Sequence, residues 1–251
     1  MQDLSGRNAV VTGGNGGIGL AMAEGMGLAG ARIAIWSRDR EKNDAAVTRL
    51  RDKGVEAFSV RCDIGVEHDV ESAMATTLER FATVDCLVAN AAVAANTPFV
   101  ETGLDDWRRV LRTNLDGSFL CTRAAARHMV QRGEGGSLVI VSSIISRFGG
   151  AGQAAYATSK MGLIGLGRTL AVELARHRIR CNILIPGWTR TPMNEALIND
   201  DRFFAAITAR TPVRRWAEPE EFHDVAAFLA DPRLTFHTGN EVVVDGGYTI
   251  F

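Results

Sequence analysis

Apolar residues in this chain form short runs that alternate with stretches of helical periodicity. The runs Asn8–Val11, Arg32–Trp36, Ala57–Cys62, Asp85–Asn90, Ser137–Ser142, Arg180–Ile185 and Glu241–Asp245 read as strands. Between them, apolar positions recur at helical intervals, as in Leu20, Met22, Ala23, Met26 and Leu28. The same spacing predicts helices over 44–53, 66–81, from Trp107 to about Gln131, over 154–176 and over 218–230. Strands alternating with helices of this length predict βαβ units and a parallel sheet of about seven strands. Right-handed crossovers then place helices on both faces, a doubly wound α/β fold. No repeat, linker or low-complexity tract interrupts the alternation, so residues 1–251 read as a single domain. Over 188–216 the pattern loosens into threonines, prolines and isolated Met193, Leu197, Phe203 and Phe204. A long insertion beyond a strand's carboxyl end reads as a lid over a site, the alternative being a surface helix pair.

Composition narrows the partners. With 28 basic and 29 acidic residues the formal net charge is −1, which gives no drive toward nucleic acid or an anionic membrane. The clustered Arg176, Arg178 and Arg180 read as a helix end and a solvated face. Cys62, Cys86, Cys121 and Cys181 lack any C-x-x-C spacing and read as buried reduced thiols, which points to a reducing cytosol. The five histidines show no ligand spacing, so no metal site is expected. Residues 1–7 contain no apolar signal-peptide core, and no apolar run approaches the ~20 residues that span a bilayer. The expectation is a soluble, cytoplasmic protein.

The chemistry-bearing residues cluster at predicted strand ends. Thr12-Gly-Gly-Asn-Gly-Gly-Ile-Gly19 follows the first strand and opens a helix. Glycines in that context let a pyrophosphate approach the backbone N–H groups at a helix N-terminus. The pattern is T-G-x-x-x-G-x-G through Gly13, Gly17 and Gly19, with Asn15 and Ile18 inside the loop, and it makes the doubly wound sheet a Rossmann fold. Ser37 and Arg38 stand at the end of the second strand, where an acid would bind a ribose diol or an arginine a 2′-phosphate. A guanidinium suits the phosphate, so NADP(H) is favoured, with NAD(H) as runner-up because Asp39 could reach a ribose. Ser143 closes the fifth strand, at the sheet edge where ligands bind in such folds. Tyr156 and Lys160 are four residues apart on one helix face. A phenol titrates near pH ~10, and a neighbouring ammonium favours its anion, giving a group able to exchange a proton with an alcohol or carbonyl.

Assembled, these residues resemble the short-chain dehydrogenase/reductase family over nearly the whole chain. The resemblance rests on Thr12-Gly13, Gly17 and Gly19, Asp63-Ile64, Asn90-Ala91-Ala92, Asn114, Ser143, Tyr156 with Lys160, Pro186-Gly187 and Asp245-Gly-Gly247. It implies Tyr156 as general acid/base, Ser143 orienting the substrate oxygen, and Lys160 lowering the Tyr156 pKa and holding the nicotinamide ribose. It implies Asn114 positioning a water toward Lys160, Asp63 at the adenine, and Asn90, Ala91, Ile64, Pro186, Gly187 and Thr189 along the cofactor cleft. Ala92 departs from the glycine the family often carries there. Val172 stands where acyl-carrier-protein reductases of the family often have a basic residue, which weakens that subtype. The implied reaction is hydride exchange between NADP(H) and a secondary alcohol or ketone, in a homotetramer built through the helices flanking the fifth strand. The alternatives are the same reaction with NAD(H), a non-catalytic cofactor-binding protein, and a dehydratase or epimerase on the same fold. Val93, Ile144, Ile145, Phe148, Trp188, Met193 and Phe203 near the expected pocket favour a hydrophobic or cyclic carbonyl substrate, with Ile145 and Trp188 as its contacts beside Ser143 and Tyr156.

Overall fold

The computed structural model describes residues 2–251. Its centre is a seven-stranded, all-parallel sheet made of β1 (Asn8–Thr12), β2 (Arg32–Ser37), β3 (Ala57–Arg61), β4 (Cys86–Ala89), β5 (Gly136–Val141), β6 (Ile179–Pro186) and β7 (Glu241–Val244). The order is β3-β2-β1-β4-β5-β6-β7, so the winding reverses between β1 and β4. That switch opens a crevice at the strands' carboxyl ends, the place where such folds bind ligands. The inner strands are covered on both faces, and β1, β4 and β6 are buried at every residue.

Helices α1 (Gly17–Leu28), α2 (Arg40–Asp52), α3 (Glu67–Phe81), α4 (Leu104–Leu111), α5 (Gly117–Arg132), α6 (Ala154–Leu174), α7 (Glu195–Ile198), α8 (Asp201–Arg210) and α9 (His223–Ala230) complete the chain. One face packs Val10, Trp36, Leu87, Leu138 and Ile140 against residues of α3, α5 and α6. The other packs Val11, Ile33, Ile35, Val88 and Val139 against α1, α2 and α9. Alternate residues of one strand thus serve opposite faces. A third cluster (Ile144, Ile164, Ile183, Ile185, Ile207, Trp216 and Tyr248) joins the sheet to the 188–216 segment.

Four local readings need correction. Helix α2 starts at Arg40 and not at Asp44, because Asp39 acts as its N-cap and accepts from the Lys42 N–H at 3.1 Å. The helix read from Trp107 to Gln131 begins at Leu104 and carries a π-helical turn over Arg112–Asp116 before Gly133 (φ +73°) ends it. The final helix opens with a 3-10 turn at Pro219–Phe222, fixed by a capping box between Glu218 and Glu221. Arg180 is buried, and it donates to the carbonyls of Leu229, Asp231 and His237 at 2.8–3.2 Å. It ties β6 to the chain after α9 and belongs to no solvated face.

Candidate active site

The glycine loop is positioned by Thr12 and Asn90. Thr12 Oγ1 accepts from the N–H groups of Asn90 (2.9 Å) and Ala91 (3.1 Å), while Asn90 Nδ2 donates to the Thr12 carbonyl (3.0 Å) and the Gly13 carbonyl (3.3 Å). Gly13 and Gly17 take φ of +63° and +52°, a region that side chains disfavour. A methyl at Gly19 would overlap the Gly13 carbonyl and the Asn90 amide. Gly16, the N-cap of α1, offers no side chain to the first-turn N–H groups of that helix. An extended loop without Cβ atoms before an uncapped twelve-residue helix suits a bound pyrophosphate.

A cavity of about 780 Å³ runs along this edge of the sheet. It is lined by Gly13, Asn15, Gly17, Ile18, Gly19, Ser37, Arg38, Asp63, Ile64, Asn90, Ala91, Ser143, Ile145, Tyr156, Lys160, Pro186, Gly187, Trp188 and Thr189. These are all the expected site residues but one: Asn114 lies behind the wall and is fully buried. Its side chain brackets Val93, accepting from the Val93 N–H (2.8 Å) and donating to the Val93 carbonyl (2.9 Å) and to Ser159 Oγ (3.0 Å). The side chain therefore holds the wall instead of facing the cavity. Among the apolar residues expected at the pocket, Phe203 is displaced too. It packs edge-on against Trp188, with ring centroids 5.4 Å apart, and lies outside the lining.

Helix α6 is bolted to the end of β5 by reciprocal bonds. Lys160 Nζ donates to the Val141 carbonyl and Ser142 Oγ donates to the Lys160 carbonyl, each at 2.8 Å. This clamp brings Tyr156, in the first turn of α6, to the same stretch of cavity wall as Ser143. Burial raises the Tyr156 pKa above its ordinary value, and the neighbouring Ser143 hydroxyl opposes that rise. Burial also lowers the Lys160 pKa to about 8. The ammonium stands 5.6 Å from the phenol ring centroid and bonds Val141, so in this geometry Ser143 is what favours the phenolate.

At the other end, Arg38 and Lys42 line the cavity together, and Asn15 Nδ2 reaches Asn43 Oδ1 at 2.9 Å to join the glycine loop to α2. The Asp39 carboxylate is engaged as the α2 N-cap and sits 3.7 Å from Lys42 Nζ. Apolar spacing alone starts α2 at Asp44 and hides the pairing of Lys42 with Arg38; with Asp39 as N-cap, Lys42 falls in the first turn. Asn96, Gln153 and Asn194 also line the cavity without a distinctive spacing to announce them. Over 188–216, Thr191, Pro192, Met193, Asn194, Ala196 and Leu197 line one wall. The ends of this segment are held side by side by the Arg190 N–H to Ala217 carbonyl and Ala217 N–H to Trp188 carbonyl bonds, both 2.9 Å. Among the described residues no group of three or more His, Cys, Asp or Glu is arranged to hold a metal ion, and no helix is long and apolar enough to cross a membrane.

The profile of a family described as enoyl-(acyl carrier protein) reductase matches residues 13–249. The chain is 34% identical to a 5-keto-D-gluconate 5-reductase of Escherichia coli, over 98% of this chain and 97% of the relative. It is 40% identical to a cis-4-hydroxycyclohexanecarboxylate dehydrogenase of Sinomonas cyclohexanicum, over 97% and 96%. The crystal structure of a gluconate 5-dehydrogenase from Burkholderia cenocepacia in complex with NADP and tartrate superposes with a TM-score of 0.94 at 36% identity, over 99% of this chain and 97% of that one. With the glycine cradle, the Ser143–Tyr156–Lys160 cluster and similarity over the full length, the chain belongs to the short-chain dehydrogenase/reductase family of NAD(P)-dependent oxidoreductases.

Proposed function

We propose that this enzyme interconverts a secondary alcohol and a ketone with NADP(H), using Tyr156 as the general acid/base. The observation that carries the proposal is the convergence of Tyr156, Ser143 and Lys160 at the end of β5, inside the same cavity as the glycine cradle. NADP(H), when bound, supplies or accepts the hydride. Tyr156 Oη gives a proton to the nascent alkoxide in reduction and removes it in oxidation, and Ser143 Oγ holds the substrate oxygen against it. Lys160 is held by the Val141 carbonyl one turn of α6 from Tyr156, where its ammonium would hold the nicotinamide ribose of the bound cofactor. Arg38 and Lys42 give the adenosine end two cations for a 2′-phosphate. Asp39, the acid that would favour a free diol, is occupied with capping α2. The relatives solved with NADP support the same cofactor.

The reading extends to the whole protein as one Rossmann-type domain with a substrate lid over 188–216, assembled as a homotetramer in the cytoplasm. The four thiols are free and buried, and burial pushes each pKa upward, to about 12 for Cys62, Cys86 and Cys181, as suits inert structural thiols.

The test is NADPH and NADH consumption across a panel of ketones, keto acids and sugars, with Tyr156→Phe alongside. The expected result is ketone reduction preferring NADPH and a loss of about 10²–10⁴-fold in the variant. The variant should still be stabilised by NADPH against heat. Full turnover in Tyr156→Phe removes the assigned role, faster turnover with NADH overturns the cofactor preference, and NADPH binding without turnover of any carbonyl leaves a cofactor-binding protein.

A further inference from the structure

The charged side chains that line the cavity are Arg38, Asp39, Lys42, Asp63 and Lys160. Four of the five follow β2 or β3, on the far side of the sheet from the reacting residues. Ser143 follows β5, three strand spacings from β2 in the order β2-β1-β4-β5, or about 14 Å. Lys160, the one charge near the reaction, is committed to the Val141 carbonyl beside Tyr156.

The end beyond Ser143 and Tyr156 has a different chemistry. Its walls are Val93, Ile145, Phe148, Trp188, Met193 and Leu197, and its polar groups are the neutral amides Asn96, Gln153 and Asn194. Cations close by are turned elsewhere. Arg210 lies over the Tyr248 ring at 4.3 Å and the Phe148 ring at 5.5 Å, outside the lining. Arg147 pairs with Glu241, and Arg190 pairs with Glu218 at 3.2 Å. A carboxylate or phosphate on the substrate would leave water for apolar walls with no partner of opposite charge, which carries a heavy desolvation penalty.

Resting on the proposed oxidoreductase reading, we infer that the substrate is uncharged: a compact ketone or alcohol with an apolar body and at most neutral polar substituents. The apolar body meets the walls, and a second hydroxyl or carbonyl meets an amide. This separates the chain from relatives named for gluconate, whose substrate carries a carboxylate.

A matched set isolates charge from shape: 4-oxocyclohexanecarboxylate against its primary amide, with cyclohexanone as the bare ring. Each is assayed for NADPH-dependent reduction by the wild-type enzyme. Each is also titrated onto the NADP⁺ complex of Tyr156→Phe, with binding read by tryptophan fluorescence. The expected result is a kcat/KM at least about a hundredfold higher for the amide than for the carboxylate, and the same order of preference in binding. Met193→Arg should narrow that gap by raising kcat/KM for the carboxylate. Equal or preferred use of the carboxylate, or binding of none of the three, overturns the inference. Selective binding of the neutral ligands without turnover in the wild type keeps the inference and removes the oxidoreductase reading, so the two fail separately.

Discussion

Lys160 shows how one side chain couples stability to the state of the site. Its ammonium is buried with the Val141 carbonyl as its hydrogen-bond acceptor, and burial brings its pKa from 10.5 down to about 8. Between those values the unfolded chain holds a proton that the folded chain has released, so stability rises with pH across that window. Below pH 8 the folded protein carries a constant penalty of about 3 kcal/mol. Lys160→Met removes the charge and also a hydrogen bond worth about 1 kcal/mol. The variant without cofactor is therefore expected to be more stable than the wild type by about 2 kcal/mol at pH 7. The advantage should disappear by pH 10.5. Urea midpoints of both proteins at pH 7, 9 and 10.5 check this, and a gap that stays level with pH would sink it. The identity and spacing of Tyr156 and Lys160 were legible in the sequence because they share one helix. The partner of the ammonium was not, since the Val141 carbonyl lies 19 residues away and only the packing of α6 on β5 brings it there.

At the level of elements, the π turn at Arg112–Asp116 connects helix geometry to the cavity wall. It places Asn114 so that one amide satisfies both backbone groups of Val93, in the loop after β4 that lines the pocket. Ser118 Oγ meanwhile donates to the Asn114 carbonyl at 2.7 Å. The sequence marks Asn114 as a site residue, but helical periodicity carries no signature of a π turn, and the pairing with Val93 spans 21 residues. Asn114→Ala removes the bonds to the half-buried Val93 N–H and carbonyl and to Ser159 Oγ, at about 1 kcal/mol each. The expected outcome is a stability loss of about 2–3 kcal/mol together with a larger fall in kcat than in cofactor affinity, because the loop carries substrate-side residues. Denaturant unfolding and NADPH titration of the variant check it, and an unchanged midpoint would remove the bracing role. The parallel, doubly wound sheet, by contrast, is legible in the alternation of runs and helices, because the inner runs are buried on both faces and contain no competing helical period.

For the whole molecule, two of the exposed apolar surfaces bear on assembly. Along α5 and α6, Phe119, Met161 and Val172 are exposed around Gly165, where nothing approaches within 4 Å. At the sheet's end β7 pairs only with β6, leaving an open edge strand that carries exposed Val243 and is followed by exposed Ile250 and Phe251. Open edges and contiguous apolar patches are a liability in a monomer and the usual substance of a subunit interface. A twofold axis makes each surface self-complementary, and two such surfaces on different sides of one subunit generate a closed tetramer with dihedral symmetry. Light scattering should therefore give a mass four times the chain's 27.1 kDa. Phe119→Glu combined with Met161→Glu introduces charge on both sides of the α5–α6 surface and leaves the β7 edge intact. That variant is expected to run as a dimer with native circular dichroism, because one interface survives. A monomeric wild type at tens of micromolar, or a double variant that stays tetrameric, would show that these faces do not join subunits.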